Sequence, residues 1–495
     1  MDQYDVCIIG GGPAGYAAAM RAIDYGKKVV LIEKGKLGGA GLYDGALTSK
    51  TMWEFSQNVL TARKQIDSSN LRLDVQWPDF IKTVNEAIFD RSFQLSCHLK
   101  ILQEEEKNHL FKMERGTASL IDKNTVQITK KSKAKKIKAK FIVLATGSTP
   151  RKLPNIEIDE KVILSSDGIG HIKDFPKSMV ILGAGVIGCE YATIFANIGK
   201  TKVNIIDKQD RILPFEDTDI SNLISENFEK KGIEIHKESQ LTRMEIINGQ
   251  VEYELTDKDG NASIHHVEKA LVSVGRIPNT KGLGLEDIGV EMTDRGHIKD
   301  VNTRSSVKNI FAVGDLTSHM ALVNVGELEG RHAIEQMFDK PEPITYTNIS
   351  SIMFLDPEVA TVGLNEQQAQ ALGIDYRVVK MDYSCIARAI AMRKTNGFFK
   401  ILVTDDENMN ILGMRALGEH ASSTIQAVSL LISMNKGVDE LANLIHPHPS
   451  IIEGIQECAR MLRGNPIFKS SVFNDKLQCY RYCKGKTIPL DVLIN

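Results

Sequence analysis

Two copies of one short pattern constrain the fold of this 495-residue chain more than any other feature of the sequence. In each copy a short apolar run leads into a turn of the form G-x-G-x-x-G, at residues 10–15 and again at 183–188, and a stretch typical of a helix follows. A second apolar run then ends at an acidic residue, Glu33 in the first copy and Asp207 in the second. Strand, glycine turn, helix and strand in this order predict a βαβ unit, so we expect two related α/β domains.

Each glycine of the turn has its own physical purpose. The first permits a tight turn, the second lets the backbone approach a pyrophosphate, and the third lets the helix pack close to the strand. The pyrophosphate then lies at the helix N-terminus, and the acidic residue accepts hydrogen bonds from a ribose. An acid at this place repels a 2′-phosphate, so Asp207 favours NAD over NADP, although the neighbouring Lys208 weakens the preference. We therefore predict two dinucleotide sites, with Gly10, Gly12, Gly15 and Glu33 in the first and Gly183, Gly185, Gly188 and Asp207 in the second.

Composition and charge exclude several other classes of protein. Apolar residues make up 42% and charged residues 25%, which is ordinary for a globular protein. A net charge of −2 gives no general attraction to nucleic acid or to a membrane surface, and the basic run at 130–140 is interpreted as a solvated hairpin tip. The apolar stretches end well short of the roughly 20 residues that a membrane helix needs. With no signal or transit pattern and only seven cysteines, we expect reduced thiols and a cytoplasmic location.

Five further motifs extend the pattern beyond the glycine turns. They are ATGS at 145–148, VGRIPNT at 274–280, IFAVGD at 310–315, DPEVATVG at 356–363 and HPHPSIIE at 446–453. With these motifs, over about residues 1–463, the chain resembles the two-dinucleotide flavoprotein disulfide reductases, a family that includes dihydrolipoyl dehydrogenase, mercuric reductase and soluble transhydrogenase. The resemblance implies FAD and NAD as cofactors, hydride transfer between them, and a homodimer.

The resemblance also implies roles for individual residues. Asp315 is expected to hydrogen-bond the ribityl chain of the flavin, and Lys50, paired with Glu190, to approach flavin N5, where a positive charge stabilises the reduced ring. His448 and Glu453 correspond to an acid–base pair that serves the flavin of the other subunit. Further positions implied are Ala118, Thr146 and Gly147 at FAD and Gly275 at the nicotinamide; no metal ligands are predicted.

The sequence departs from this family pattern at one place. Disulfide reductases carry a redox cysteine pair in the segment that ends in a Ser-Lys dipeptide, and residues 38–50 preserve its length but have Gly41 and Ala46 at the cysteine positions. We therefore expect no thiol beside the flavin from this segment and no ordinary dithiol–disulfide exchange there. Hydride transfer from NADH to FAD is still predicted, whereas the acceptor stays open among a quinone, another nicotinamide, and another small or protein-bound molecule.

Two alternatives stay open. Cys479 and Cys483 lie near the end of the chain between basic residues, which lower a thiol pKa, and a flexible tail would bring them to the active site of the other subunit as a replacement dithiol. The simpler interpretation of Cys479 and Cys483 is two reduced and unconnected thiols, and a third is a contact for a metal or a partner. The second alternative is a non-catalytic flavin-binding component of a larger complex.

The predicted fold class is α/β, with two Rossmann-like dinucleotide-binding domains and a C-terminal α+β dimerisation domain. We assign residues 1–150 to the first part of the FAD-binding domain, 151–282 to the NAD-binding domain and 283–344 to the second part of the FAD-binding domain. The dimerisation domain is expected over 345–463, and residues 464–495 are expected to form a tail with few periodic signals. One long helix is predicted over Asp79–Phe111 and a β-hairpin over Ala118–Lys140.

Overall fold

Two large sheets organise the chain in a computed structural model that describes residues 1–66, 73–104 and 109–490. The described strands are β1 (Asp2–Ile9), β2 (Val29–Glu33), β3 (Phe111–Arg115), β4 (Thr117–Asp122), β5 (Thr125–Lys130), β6 (Lys133–Leu144), β7 (Ser148–Pro150), β8 (Ile163–Ser165), β9 (Ser178–Leu182), β10 (Lys202–Ile206), β11 (Glu234–His236), β12 (Gln240–Ile247), β13 (Gln250–Thr256), β14 (Ala262–Val267), β15 (Lys269–Val272), β16 (Arg276–Pro278), β17 (Asp300–Val301), β18 (Arg304–Ser305), β19 (Ile310–Ala312), β20 (Ser351–Met353), β21 (Val359–Gly363), β22 (Tyr376–Asp382), β23 (Phe398–Thr404), β24 (Ile411–Leu417), β25 (Leu477–Cys483) and β26 (Lys486–Pro489). The described α-helices are α1 (Pro13–Asp24), α2 (Gly39–Leu42), α3 (Ala46–Ile66), α4 (Trp77–Glu104), α5 (Val186–Ile198), α6 (Thr218–Lys230), α7 (Val323–Phe338), α8 (Glu366–Ala371), α9 (Ala387–Ala391), α10 (Ala421–Ser433), α11 (Asp439–Asn443) and α12 (Glu453–Leu462).

The chain divides into two compact units. The first contains residues 1–206 and 240–344, and the second contains residues 207–239 and those from 345 onward. No helix in the described ranges is long and apolar enough to cross a membrane.

The first unit is built on a mainly parallel sheet in the order β17-β18-β19-β6-β1-β2-β3. β1 pairs in parallel with β2 on one side and with β6 on the other. Its side chains alternate between two apolar cores: Cys7 and Ile9 pack on one face, and Val6 and Ile8 on the other. Burial on both faces explains why the second half of the strand, residues 6–9, is a continuous apolar run.

The second βαβ motif repeats this arrangement and also belongs to the first compact unit. β9 pairs in parallel with β10 and with β15, and β15 pairs in parallel with β8. The helix α5 connects β9 to β10, and ten of its 13 residues are buried. Both βαβ units predicted from the glycine turns are therefore present.

The second unit contains an antiparallel sheet in the order β20-β21-β24-β23-β22-β25-β26. Its core joins the sheet to α10 and α12 through buried side chains that include Phe399, Ile425 and Ile455. The unit contains both strands and helices after residue 344, and residues 207–239 also belong to it. The domain bounds assigned from the sequence stay predictions.

Three local predictions were wrong in extent. The helix predicted over Asp79–Phe111 is α4, Trp77–Glu104; residues 105–108 lie outside the described ranges, and Phe111 begins β3 instead. A single hairpin was predicted over Ala118–Lys140, but this segment forms three antiparallel strands, β4, β5 and β6. The last of them, β6, continues into the central sheet, where it pairs with β1. The segment from Gly464 is not a plain tail, because β25 pairs with β22 and β26 pairs with β25; residues 491–495 lie outside the described part.

A buried lysine holds three carboxylates together in the second unit. Lys400 on β23 is 1% exposed, and its Nζ lies 2.9 Å from Asp217 Oδ1 and 2.8 Å from Asp219 Oδ2. It also contacts the carboxylate of Glu366 at the start of α8. Burial disfavours the charged lysine, but the surrounding carboxylates outweigh that effect, so the pKa of Lys400 is raised. The cluster connects residues 207–239 and α8 to the sheet.

We predict that Lys400→Met lowers the free energy of unfolding by about 3–5 kcal/mol, because it leaves buried carboxylates without their cation. Urea denaturation followed by circular dichroism measures this loss. The matched control is Lys230→Met, since the Lys230 side chain is 70% exposed and its change is expected to stay within about 0.5 kcal/mol. Equal effects of the two substitutions would contradict the prediction.

Candidate functional site

The first glycine turn lies between the end of β1 and the start of α1. Gly10 has φ of +111°, and a Cβ there would overlap the carbonyl oxygen of Ala145, the residue that follows β6. A Cβ at Gly15 would overlap the carbonyl oxygen of Gly10, so the helix approaches the turn more closely than any side chain allows. At Gly12, by contrast, a Cβ would meet no atom within 4 Å.

The turn therefore has an open side at the N-terminus of α1. Gly12 is the N-cap residue of α1, and no side chain caps the first N–H groups of the helix. Such uncapped N–H groups carry partial positive charge and form a site for an anion. A negatively charged pyrophosphate suits both this partial charge and the open space. The donors of this turn fit a dinucleotide.

Glu33 closes the first site at the end of β2. Its Oε2 accepts a hydrogen bond from Gly11 N at 2.6 Å, and its Oε1 accepts one from Gly35 N at 2.5 Å. The carbonyl of Glu33 accepts from Gly116 N, which brings the start of β4 to the same strand end. Ala118, two residues further along β4, is buried. The carboxylate is thus held beside the glycine turn, as the prediction requires.

The second glycine turn has the same geometry. Gly183 has φ of +101°, and a Cβ there would lie 2.7 Å from the carbonyl oxygen of Ser273, the residue that follows β15. A Cβ at Gly188 would overlap the carbonyl oxygen of Gly183, whereas Gly185 is open and is the uncapped N-cap of α5. This turn also fits a dinucleotide.

Two other predicted residues of the NAD site are found at strand ends. Gly275 follows β15 with φ of +103°, and its carbonyl accepts a hydrogen bond from Arg151 N. Asp207 comes directly after β10 and belongs to the second unit, where its Oδ1 accepts a hydrogen bond from Gln209 N at 2.9 Å. The role of Gly275 toward the nicotinamide and that of Asp207 toward a ribose of NAD stay predictions.

An ion pair joins α3 to α5 in the first unit. Lys50 Nζ lies 2.9 Å and 3.1 Å from the two carboxylate oxygens of Glu190, whose side chain is 5% exposed. Lys50 Nζ also lies 3.3 Å from Ser49 Oγ. The two residues are 140 positions apart in the sequence, so the predicted pairing is present in the fold.

A hydrogen-bonded chain connects the ATGS turn to Asp315. Ser148 Oγ donates to Asp315 Oδ2 at 2.6 Å, and Arg276 Nε donates to Ser148 Oγ at 2.8 Å. Arg276 Nη1 in turn lies 3.5 Å from Asp167 Oδ1. This network fixes the orientation of the Asp315 carboxylate, the residue that the sequence singled out.

The neighbouring residues of the ATGS turn are fixed by Asn279. Thr146 Oγ1 donates to the Asn279 carbonyl at 2.7 Å, and Asn279 Nδ2 donates to the Thr146 carbonyl at 3.0 Å. Gly147 has φ of +66°, and a Cβ there would meet no atom within 4 Å. Two hydrogen bonds thus hold the turn, and Gly147 leaves one side of it open.

The segment at 38–50 contains no thiol and has little room for one at its first cysteine position. Residues 8–96 contain no cysteine. A Cβ at Gly41, in α2, would lie 2.5 Å from the ring carbon Cγ of Pro13 at the start of α1. Since the proline ring cannot rotate away, a cysteine at 41 would require α1 or α2 to shift. Ala46 begins α3.

Asp44 is a residue that the sequence reasoning missed. It lies in the loop between α2 and α3, between the two positions that carry cysteines in the family pattern. Desolvation raises the pKa of the Asp44 carboxyl and the negative charge of Asp167 raises it further, against the opposite effects of His171, Lys36 and Arg276. The signal in the sequence was an acidic residue within residues 37–49, a stretch of 13 positions that has no other charged side chain.

The predicted acid–base pair is formed in the second unit. His448 Nδ1 lies 2.8 Å from Glu453 Oε1, and Glu453 Oε2 accepts from Ser450 N at 2.7 Å. Burial raises the pKa of Glu453, but the Ser450 N–H and the His448 ring outweigh it, so the pKa is lowered and the carboxylate is kept ionised. The His448 side chain is 71% exposed and its Nε2 is left for another group.

The structure argues against the replacement dithiol. Cys479 and Cys483 lie four residues apart on β25, about 13 Å along the strand, whereas a disulfide requires Cα atoms within about 7 Å. Cys479 is buried against β22, and this burial raises its pKa to about 12. Cys483 Sγ donates to Asp375 Oδ2 at 3.2 Å. The expectation of a flexible tail fails because β25 pairs along β22 from Leu477 to Tyr482.

Comparison with known proteins agrees with this geometry. Residues 4–330 match the model of the pyridine nucleotide-disulphide oxidoreductase family, and residues 349–459 match the model of its dimerisation domain. The chain is 34% identical over 469 residues to a dihydrolipoyl dehydrogenase of Geobacillus stearothermophilus, and 35% identical over 467 residues to one of Bacillus subtilis. Each alignment covers 94% of this chain and 97% of the relative.

Solved structures show the same fold. The crystal structure of LpdA from Mycobacterium tuberculosis has a TM-score of 0.84 at 25% identity, covering 93% of this chain and all of that one. The flavoprotein disulfide reductase RclA from Escherichia coli, solved as a Cu(II) complex, has a TM-score of 0.83 at 24% identity with the same coverage, which is a likeness of fold alone.

We predict that Cys479 resists alkylation in the native protein, because only a small fraction of a thiol with a pKa of about 12 is ionised at pH 8. Iodoacetamide labelling followed by mass spectrometry compares its rate with that of the partly exposed Cys483, which serves as the internal control. Labelling of Cys479 as fast as Cys483 would show that β25 leaves the sheet readily.

Proposed function

Because this chain belongs to the pyridine nucleotide-disulphide oxidoreductase family, we propose that it passes electrons from NADH through FAD directly to an acceptor, without a disulfide beside the flavin. The class and the cofactors follow from the family: the chain is an FAD-dependent oxidoreductase that binds FAD and NAD(H). The dimerisation-domain match supports a homodimer. The proposal concerns the route of the electrons after the flavin.

One observation carries this proposal. Residues 38–50 occupy the segment where the family pattern has its redox cysteines, yet they contain no cysteine, and Gly41 packs against Pro13. Bound FAD supplies the two-electron chemistry, taking a hydride from NADH and giving electrons to an acceptor. With no thiol in this segment, the acceptor itself must approach the flavin.

The residues of the first unit would bind and orient the cofactors. The open turns at Gly12 and Gly185 are suited to the two pyrophosphates, and Glu33 to a ribose of FAD. Asp315, held by Ser148 and Arg276, is suited to accept a hydrogen bond from a ribityl hydroxyl. The role of these groups is mainly to position the cofactors for hydride transfer, and less to take part in the chemical step itself.

Lys50 would contribute electrostatic stabilisation of the reduced flavin. Its ammonium is held by the nearly buried carboxylate of Glu190, so its position is fixed before the reaction. A preorganised positive charge near the flavin N5 edge favours the extra negative charge that hydride transfer brings. Glu190 acts as a positioning residue for Lys50.

His448 and Glu453 would handle a proton. Glu453 accepts from one ring nitrogen of His448, which fixes the tautomer and leaves the other nitrogen to give or take a proton. Retention of this pair favours an acceptor that gains protons on reduction, such as a quinone, over a simple one-electron acceptor. A second nicotinamide is the other candidate, and a cytoplasmic location stays a prediction.

The two alternatives make different demands. A dithiol reaction through Cys479 would require β25 to detach from β22, because the thiol is buried in the sheet. A non-catalytic flavin carrier would not need the Lys50–Glu190 ion pair or the His448–Glu453 pair, both of which are formed. Direct transfer from the flavin to the acceptor uses both of these pairs and does not require the Cys479 thiol.

We predict that Lys50→Met slows anaerobic flavin reduction by NADH by about 10²–10³-fold, because it removes a preorganised charge. Stopped-flow absorbance at equal FAD content measures the rate. The control is Lys140→Met, a lysine whose side chain is 73% exposed, for which the rate is expected to be unchanged. An unchanged rate in Lys50→Met would remove the role given to this lysine.

The proposed acceptor class is tested by turnover. We expect NADH oxidation with a soluble benzoquinone to proceed equally in the wild type and in a Cys479→Ser/Cys483→Ser double variant, because neither thiol takes part. Reduction of lipoamide is expected to be negligible in both proteins. Lipoamide turnover that the double variant abolishes would replace this proposal with the dithiol alternative.

A further inference from the structure

Lysines are concentrated in one short part of the first unit, the strand pair β5–β6 and the turn before it. Residues 123–140 contain eight lysines and no aspartate or glutamate. Since the whole chain has a net charge of −2, the rest of the molecule is acidic overall. This local excess of one charge sign indicates a surface for an anionic partner.

The register of the strands places several of these polar residues on one continuous face. Lys136, Lys138 and Lys140 alternate along β6, so their side chains leave the same side of the strand. Gln127 of β5 lies opposite Lys136, and Ser119 of β4 lies opposite Gln127. We call these five residues the β6 basic face. The other side of the three strands is buried in an apolar core, through Leu120, Ile128 and Ile137.

The positive charges of this face are largely uncompensated. Lys136 and Lys138 are exposed, and no carboxylate in the described ranges forms an ion pair with either of them. Lys140 Nζ lies 2.8 Å from Asp5 Oδ1, but the Lys140 side chain remains 73% exposed, and such surface pairs contribute little. All three ammonium groups are therefore available to an anion from outside.

The end of the hairpin adds positive charge in an unfavourable arrangement. Lys130 and Lys133 lie directly opposite each other, and like charges in this position destabilise a strand pair. Lys131, in the connecting turn, has φ of +54°, a conformation that residues with a side chain rarely adopt. No carboxylate in the described part of the chain pairs with these three lysines, so a bound anion would relieve their repulsion.

The spacing of the lysines matches an extended polypeptide. Alternate side chains of a strand lie about 6.6 Å apart, and an extended segment with acidic residues at every second position has the same repeat. Gln127 and Ser119 place neutral hydrogen-bonding groups beside the lysines. A row of carboxylates is therefore complementary to this face in both charge and spacing.

Two other large anions fit the face less well. Residues 117–140 contain no aromatic residue and no arginine, the side chains on which the bases of a single-stranded nucleic acid stack. A nucleic acid or an anionic membrane would also extend beyond this face and meet the rest of the molecule, which is acidic overall. A short acidic segment contacts the basic face alone.

We propose that the β6 basic face is a docking site for a short, extended acidic segment of a partner protein. The face lies toward the other end of β6 from the ATGS turn, because Lys136 precedes Leu144 by eight residues, about 26 Å along the strand. The docking site is therefore separate from the ATGS turn and Asp315, and it serves assembly and not electron transfer. The inference does not depend on the proposed function.

The test uses the full-length, FAD-loaded protein and a fluorescently labelled peptide of alternating glutamate and serine. We expect binding in fluorescence anisotropy, with a dissociation constant that rises about tenfold in a Lys136→Gln/Lys138→Gln double variant. The matched control is Lys82→Gln/Lys100→Gln, two lysines of α4 whose side chains are 73% and 72% exposed. The control removes the same charge and is expected to leave the dissociation constant unchanged. Equal weakening in both variants would overturn the inference.

A second measurement needs no substitution. Bound peptide is expected to protect Lys136 and Lys138 of the wild type from acetylation, whereas Lys82 and Lys100 react as fast as without peptide. Absence of peptide binding, absence of this protection, or tighter binding of oligothymidylate or of phosphatidylglycerol vesicles would each overturn the inference. Reduction of the flavin by NADH is read separately and is expected to be equal in the double variant and the wild type. Slower reduction in the double variant would contradict the separation of this face from the flavin.

Discussion

Close approach between backbones at two glycine turns is the constraint on which this structure depends. At Gly10 the chain passes so near the end of β6 that a Cβ would lie 2.2 Å from the carbonyl oxygen of Ala145. At Gly183 a Cβ would lie 2.7 Å from the carbonyl oxygen of Ser273, the residue after β15. Each turn therefore lies where two parallel strands end side by side. That is the edge at which α/β sheets bind their ligands, and the open sides of both turns face it.

The same constraint explains why the other groups of the first unit can cooperate. One hydrogen-bonded network joins Ser148 at the start of β7, Arg276 at the start of β16 and Asp315 after β19. Lys50 and Glu190 meet because α3 packs on α5, the helix whose start is fixed by the second turn. In this scaffold the missing cysteines remove one electron carrier but leave the binding and electrostatic groups intact. Under the proposed function, the remaining chemistry is transfer from the flavin to an external acceptor.

Sequence reasoning succeeded where backbone geometry restricts the residue type. Only glycine fits at Gly10 and Gly15, so the two turns and their strands were predictable from the residues alone, whereas the Lys50–Glu190 pair was predictable only through the family pattern. It failed for β25, whose partner β22 lies about 100 residues earlier in the chain, so that nothing local indicated the pairing. It also missed Asp44, because the effect of Asp167 on its pKa arises only when the loop meets a distant turn.

Direct transfer from the flavin to the acceptor is tested by an anaerobic titration of the FAD-loaded protein with NADH, followed by visible absorbance. We predict that one NADH per flavin completes the bleaching, without a long-wavelength thiolate–flavin band, because the flavin then takes up the whole electron pair. Consumption of two NADH per flavin, or the appearance of that band, would reveal a second redox centre and contradict direct transfer to the acceptor.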